Sequence, residues 1–250
     1  MQPKVPEITA LFWLVKILTT GMGEATSDYL GSINVAVAIA VGALGFVLAL
    51  WLQLRTRRYV TAVYWFAVAM VAVFGTMVAD ALHVFGLPYE VTTAGYAVLL
   101  AMVFYRWQRA EGSVSIHSIT TRRREVYYWL TVLATFALGT AVGDLSAASL
   151  GLGFASSGIF FALVIAVPLI GYRMRWMSEV IAFWFAYVLT RPLGASVADY
   201  LGKDHSMRGL GLGDGTVAGL SAVLIILLVG YLARSGTDVQ RPSATPALPA

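Results

Sequence analysis

Four aspartates, Asp28, Asp80, Asp144 and Asp199, stand inside long apolar runs, each fifteen residues after a tryptophan. The tryptophans are Trp13, Trp65, Trp129 and Trp184. Each is preceded by a second aromatic (Phe12, Tyr64, Tyr128, Phe183) and followed ten residues later by glycine (Gly23, Gly75, Gly139, Gly194). The intervals are the same in all four copies. A carboxylate in such a run can bind a hard cation, carry a proton or tie helices together. Glu24, Thr76 and Thr140 stand four residues before their aspartates; copy four has Ala195 there, with the hydroxyl moved to Ser196. Three or four residues is the spacing at which helical side chains meet. Each aspartate is therefore expected to have an oxygen-bearing neighbour on its own helix, and Glu24 with Asp28 forms a carboxylate pair.

Copy four also carries Arg191 where the others have Thr20, Ala72 and Phe136. Arg191 shares a helix face with Asp199 two turns away, so its direct partner is expected to be another copy's acid. Pro192 removes a backbone donor and predicts a kink near residue 188. Lys16 is expected to snorkel toward the near membrane face. His83, three residues after Asp80, could complete an Asp80–His83 metal pair, or could be an interfacial residue. Glu7, Glu125 and Glu179 fit the positive ends of helix dipoles.

Several chemistries are excluded. The chain has no cysteine, hence no disulfide and no thiolate metal site. No Gly-x-Ser-x-Gly or His-Glu-x-x-His arrangement occurs, and the repeated pattern holds no nucleophile–base pair, so no catalytic residue and no enzyme are expected. The Gly-rich turn at 209–215 lacks the preceding strand of a nucleotide loop, and no cofactor is implied. The net charge of +4 is small and its arginines sit in linkers, which reads as topology rather than nucleic-acid binding.

The elements that must position these groups follow from composition. With 59% apolar and 12% charged residues, the chain belongs in a lipid bilayer. Apolar runs of about 20 residues, the length that crosses a hydrocarbon core, predict eight transmembrane helices at 8–30, 33–54, 59–82, 91–108, 125–148, 154–173, 177–201 and 214–233. They group into hairpin repeats at about 4–55, 56–109, 122–175 and 176–234, the first helix of each bearing the motif. Residues 235–250 are expected to be a disordered tail. Arginines gather between repeats, which puts both termini and all linkers in the cytoplasm by the positive-inside rule. The four hairpins then share one orientation about an axis along the membrane normal, with the motif helices inside. The fold class is an all-α integral membrane protein.

Copies one and four share Asp-Tyr-Leu-Gly (Asp28 to Gly31, Asp199 to Gly202), and copies two and three share Gly-Thr before the aspartate, which suggests two successive duplications. The stretches Lys4-Val5-Pro6-Glu7, Gly23-Glu24 and Thr190-Arg191-Pro192-Leu193-Gly194-Ala195-Ser196, together with the fourfold motif, resemble a family of bacterial membrane proteins defined by four copies of a repeat of unknown function. The resemblance implies the repeat architecture and a bacterial inner-membrane location, and no chemistry. The residues themselves point to a transporter or exporter of a small cation, a divalent metal among the candidates and proton exchange a possible drive. Glu24, Asp28, Asp80, Asp144 and Asp199 would bind the cation, with Thr76, Thr140 and Arg191 beside them. The alternative is a non-transporting scaffold or sensor in which the same acids and Arg191 hold helices together.

Overall fold

The computed structural model describes residues 3–240, and every regular element among them is helical. The helices are α1 (Ala10–Ile33), α2 (Val35–Arg55), α3 (Thr61–Val84), α4 (Tyr89–Glu111), α5 (Arg122–Asp144), α6 (Gly153–Val164), α7 (Ala166–Arg173), α8 (Glu179–Gly202) and α9 (Asp214–Ser235). Each expected apolar segment is helical, with ends shifted by a few residues. The motif lies on α1, α3, α5 and α8. Three of these start on a side-chain cap, Thr9, Thr121 or Ser178 accepting from an amide three residues on, as orphan first-turn donors require. The sixth segment is broken at Ile165 into α6 and α7, where Pro168 cannot donate to the carbonyl of Val164. Pro192, by contrast, lies within an uninterrupted α8. Past Asp144, α5 widens into a π-turn at Leu145–Ser149.

The motif residues build a closed ring of helices in the order α1, α3, α5, α8. At one end, each aromatic before a tryptophan meets that tryptophan edge-on, at centroid distances of 5.1, 5.3, 5.3 and 5.0 Å. Each also reaches the tryptophan of the next copy: Phe12 to Trp65 (5.6 Å), Tyr64 to Trp129 (5.6 Å), Tyr128 to Trp184 (6.0 Å) and Phe183 back to Trp13 (5.7 Å). The belt thus closes on itself, with the favoured edge-to-face geometry inside each copy and tilted rings between copies. Ten residues along, the motif glycines repeat the same cyclic step. A Cβ on Gly23 would strike Ala72; on Gly75, Phe136; on Gly139, Arg191; on Gly194, Thr20. Each glycine thus admits the residue seven positions after the next copy's tryptophan, as small residues do where helices approach closely.

The second helices lie outside this ring. Each packs more extensively on the next copy's motif helix than on its own: α2 on α3, α4 on α5, α6 and α7 on α8, and α9 on α1. Their outer faces carry exposed leucine, isoleucine and valine, including Leu44, Leu163, Leu220 and Ile226 at 64% exposure or more. Among the described residues, six segments are long and apolar enough to cross a membrane; the two others of comparable length, α1 and α4, carry Lys16, Glu24 and Asp28, and Glu90, Arg106, Arg109 and Glu111. Apolar surface on this scale belongs against lipid rather than water.

Residues 3–7 and 238–240 close the tryptophan end. The Lys4 amide donates to the Ile119 carbonyl (3.1 Å), the Tyr59 amide to Pro3 (2.9 Å) and the Glu7 amide to Asp238 (2.8 Å). The Lys4 ammonium pairs with Glu125, which is fully buried and also accepts from Gln53 Nε2 (3.0 Å). Glu125 is therefore more than a helix-dipole acid. The expected disordered tail also begins otherwise: Asp238 is buried and accepts from the Tyr59 hydroxyl, and Gln240 Nε2 donates to the Pro6 carbonyl (3.1 Å). Burial and this hydrogen bond hold the Tyr59 phenol well above its ordinary range. Residues 241–250 of that tail lie outside the described residues.

Candidate functional site

The four aspartates meet at the end opposite the tryptophan belt. Asp28, Asp80, Asp144 and Asp199, with Glu24, line a single cavity of about 650 Å³. Its rim comes from His83 at the end of α3 and Tyr89 at the start of α4, the π-turn after α5, and the α8–α9 loop with Lys203 and Arg208. Convergence follows from the cyclic packing: helices related by a common step put their equivalent residues in one layer. Glu24, Asp28 and Asp199 are the closest set, one oxygen of each lying within 4.8 Å of the others. Three oxygen donors at that spacing suit a hard cation.

The aspartates are not equally neutralised. Lys203 Nζ donates to Asp28 and to Asp214 (3.0 Å) and lies 4.0 Å from Asp199. Burial works against the Lys203 charge, but these carboxylates outweigh it and hold the ammonium above the ordinary lysine range. Asp80 and Asp144 make no ion pair and no side-chain hydrogen bond among the described residues, and both face the cavity half-buried. His83 is exposed, its Nδ1 against the Leu87 carbonyl (3.1 Å) and its ring stacked on Tyr89 at 3.9 Å. Asp80 and His83 both line the cavity, but among the described residues they do not form a cluster with a third metal-binding side chain.

Arg191 does not line this cavity; it lies behind the lining residue Glu24, among all four motif helices, 1% exposed. Its Nη2 meets the Glu24 carboxylate, the Thr76 hydroxyl and the Thr140 hydroxyl (2.7 Å), while Nη1 donates to the Thr20 carbonyl (3.4 Å). The acid partner thus comes from copy one. Glu24, Thr76 and Thr140 occupy the same motif position, so three copies present one atom each to the fourth. Both hydroxyls donate to their own helix, Thr76 to Ala72 O (2.9 Å) and Thr140 to Phe136 O (3.0 Å), which leaves their lone pairs to accept from arginine. The expected pairing of Thr76 with Asp80 and Thr140 with Asp144 is therefore not made. The hydroxyls turn one layer inward, because a buried guanidinium costs more to leave unsatisfied than a carboxylate facing a cavity.

Lys16 differs from expectation most sharply. It does not snorkel: it is 1% exposed, its Nζ donating to Thr190 Oγ1 (3.3 Å) and lying over the rings of Phe136 (4.2 Å) and Tyr187 (4.3 Å). Beyond it the Tyr64 and Tyr128 hydroxyls share a hydrogen bond, and the Tyr187 hydroxyl is buried without a partner among the described residues. Lys16 stands three positions after Trp13, on the inward face set by the motif, and that placement was the signal for its burial.

No curated protein and no solved structure matches the chain. A family model, Repeat of Unknown Function (DUF347), matches it four times, over residues 11–59, 63–113, 127–175 and 182–238. Each match holds one motif helix and the outer helix that follows it, so the fourfold ring is the form these repeats take together, and the chain belongs to the DUF347 repeat family.

Proposed function

We propose that the protein is a membrane transporter of a small cation, with the aspartate cavity as its binding site. The reading takes all eight helical segments as spans, forming four hairpins of like orientation, with both termini and the tryptophan end in the cytoplasm of a bacterium and the cavity facing outward. One observation carries it: five carboxylates contributed by all four repeats converge on one cavity, and two of them, Asp80 and Asp144, have no cationic partner among the described residues. Carboxylates of like charge gathered in a low-dielectric bundle repel one another, and a bound cation relieves that repulsion. Arg191 separates the cavity from the tryptophan end. It would act as a tethered counter-ion to Glu24, released when a cation takes that carboxylate.

A non-transporting scaffold is the second reading, favoured by the full burial of Arg191 among Glu24, Thr76 and Thr140. Flux into proteoliposomes across a panel of monovalent and divalent cations separates the two. Transport predicts uptake of at least one cation, abolished in Asp80→Asn and Asp144→Asn proteins that remain folded. If no cation moves and none alters tryptophan fluorescence, the transporter reading is lost.

A further inference from the structure

Lys16 sits on the axis between the Arg191 layer and the tyrosine hydroxyls, outside the aspartate cavity. None of the ion pairs among the described residues includes it. Its hydrogen-bond acceptor is Thr190 Oγ1, whose own proton goes to the Tyr187 carbonyl (2.7 Å), so a hydroxyl lone pair faces the lysine nitrogen. Arg191 lies over the same Phe136 ring, its guanidinium carbon 5.7 Å from the centroid against 4.2 Å for Lys16 Nζ. Two buried cations thus share one ring, and only Arg191 has a carboxylate.

Among the described residues, the other groups around Lys16 offer it no acid. Facing it from α8 are Arg191 and Tyr187, and the hydroxyls of Tyr128 on α5 and Tyr64 on α3 lie beyond Tyr187. The other helices against α1 are α2 and α9, whose ionisable groups stand near their ends: Arg55 on α2, and Asp214, Tyr231 and Arg234 on α9.

We propose that Lys16 is a proton-binding site coupled through Arg191 to the cation cavity, so that cation entry and proton exit are one exchange. The proposal rests on the cavity binding a cation. While Glu24 neutralises Arg191, the ammonium of Lys16 has one uncompensated charge to bear, its own. When an entering cation draws Glu24 away, Arg191 becomes a second uncompensated charge against the same Phe136 ring. Like charges at this range in a low dielectric repel strongly. One N–H bond of the Lys16 ammonium then breaks and the electron pair stays on Nζ. The proton passes to water at the tryptophan end, past the hydroxyls of Tyr187, Tyr128 and Tyr64. When the cation leaves, Glu24 returns to Arg191 and Lys16 takes up a proton. No redox partner is involved, and one proton is released for each cation bound, so that a divalent ion adds a net charge of +1.

The test is calorimetric titration of the full-length protein with Mn²⁺, an ion suited to oxygen ligands, and where Mn²⁺ does not bind, with Mg²⁺, Ca²⁺ or K⁺. Two buffers of different ionisation enthalpy give the number of protons released per cation. Lys16→Met removes the site without leaving a buried polar atom and is expected to bind the cation while releasing about one proton fewer than the natural chain. Lys16→Arg, which cannot give up its proton, is expected to lose the same proton and to bind the cation about tenfold more weakly or worse, a 1.4 kcal/mol effect or more. Equal proton release from Lys16→Met and the natural chain overturns the proposal while leaving the cation site intact. If no cation of the set binds the natural chain, the cavity reading itself fails and the proposal with it.

Discussion

Gly139 is the space through which Arg191 reaches the bundle axis: a Cβ on Gly139 would fall 2.5 Å from both Cβ and Cγ of the arginine. Those atoms are the root of the side chain and cannot swing aside without taking the guanidinium from Glu24, Thr76 and Thr140. Gly139→Ala is therefore expected to destabilise the protein by about 2–4 kcal/mol, as overpacking joined to a broken buried network does. Gly95 and Gly219 lie in helices with nothing within 4 Å of an added Cβ. Alanine there is expected to be neutral or to stabilise by about 0.5–1 kcal/mol. Thermal unfolding in detergent, followed by helical circular dichroism, ranks the three variants. Equal melting for Gly139→Ala and Gly95→Ala would contradict the close approach.

Arg191 and Glu24 should prove far more damaging to remove singly than together. Arg191→Met leaves Glu24, 4% exposed, without its cation, and breaking a buried pair in this way costs about 3–5 kcal/mol. Arg191→Met with Glu24→Gln removes both charges of the pair, and the glutamine amide can still donate to Thr76. Its stability is expected to recover by at least half of the single-variant loss. A double-mutant cycle on melting in detergent reads the coupling. Strict additivity would show that the pair does not act as a unit.

The helices and their grouping were legible in the sequence because apolar length and a fixed motif interval are local properties. So was the gathering of Asp28, Asp80, Asp144 and Asp199, since equal intervals on equivalent helices force one layer, with Glu24 one turn before it. Other features depend on what stands across the ring, which one helix cannot reveal. Thr76 and Thr140 looked like partners of Asp80 and Asp144 by spacing alone, but a guanidinium from copy four competes for them and wins. Lys16 looked like a snorkelling lysine because its depth was counted along the chain, whereas its face turns it to the axis. Lys4, Glu125, Tyr59 and Asp238 come from four distant segments, and no local pattern links them.

The tryptophan end is closed by residues 3–7, and the Lys4–Glu125 pair is the fastening that a single substitution can release. Glu125→Gln leaves the Lys4 ammonium, 7% exposed, without its carboxylate, and favours withdrawal of the segment into water. The chain has no native cysteine, so Val5→Cys, at a fully buried position, reports that withdrawal alone. A membrane-impermeant maleimide is expected to label Val5→Cys about tenfold faster or more in the Glu125→Gln background, which corresponds to 1.4 kcal/mol or more of opening. Labelling at the same rate in both backgrounds would show that the ion pair does not hold the segment.

Asp80 and Asp144 should behave unlike acids that have a cationic partner among the described residues, such as Glu24, Asp28 and Glu125. Neither has a cationic partner among the described residues, and both share a cavity with Glu24, Asp28 and Asp199, so each feels net repulsion. Asparagine keeps the shape and removes the charge. Asp80→Asn and Asp144→Asn are expected to melt at the natural temperature or above it, while cation binding weakens at least tenfold, a loss of about 1.4 kcal/mol or more. Asp28→Asn gives the contrasting control. It removes a partly exposed pair with Lys203 and is expected to cost roughly 0.2–1 kcal/mol of stability. Should Asp80→Asn and Asp144→Asn instead melt as low as Arg191→Met, the aspartates are holding helices together, and the cavity is a by-product of that scaffold rather than a seat for a cation.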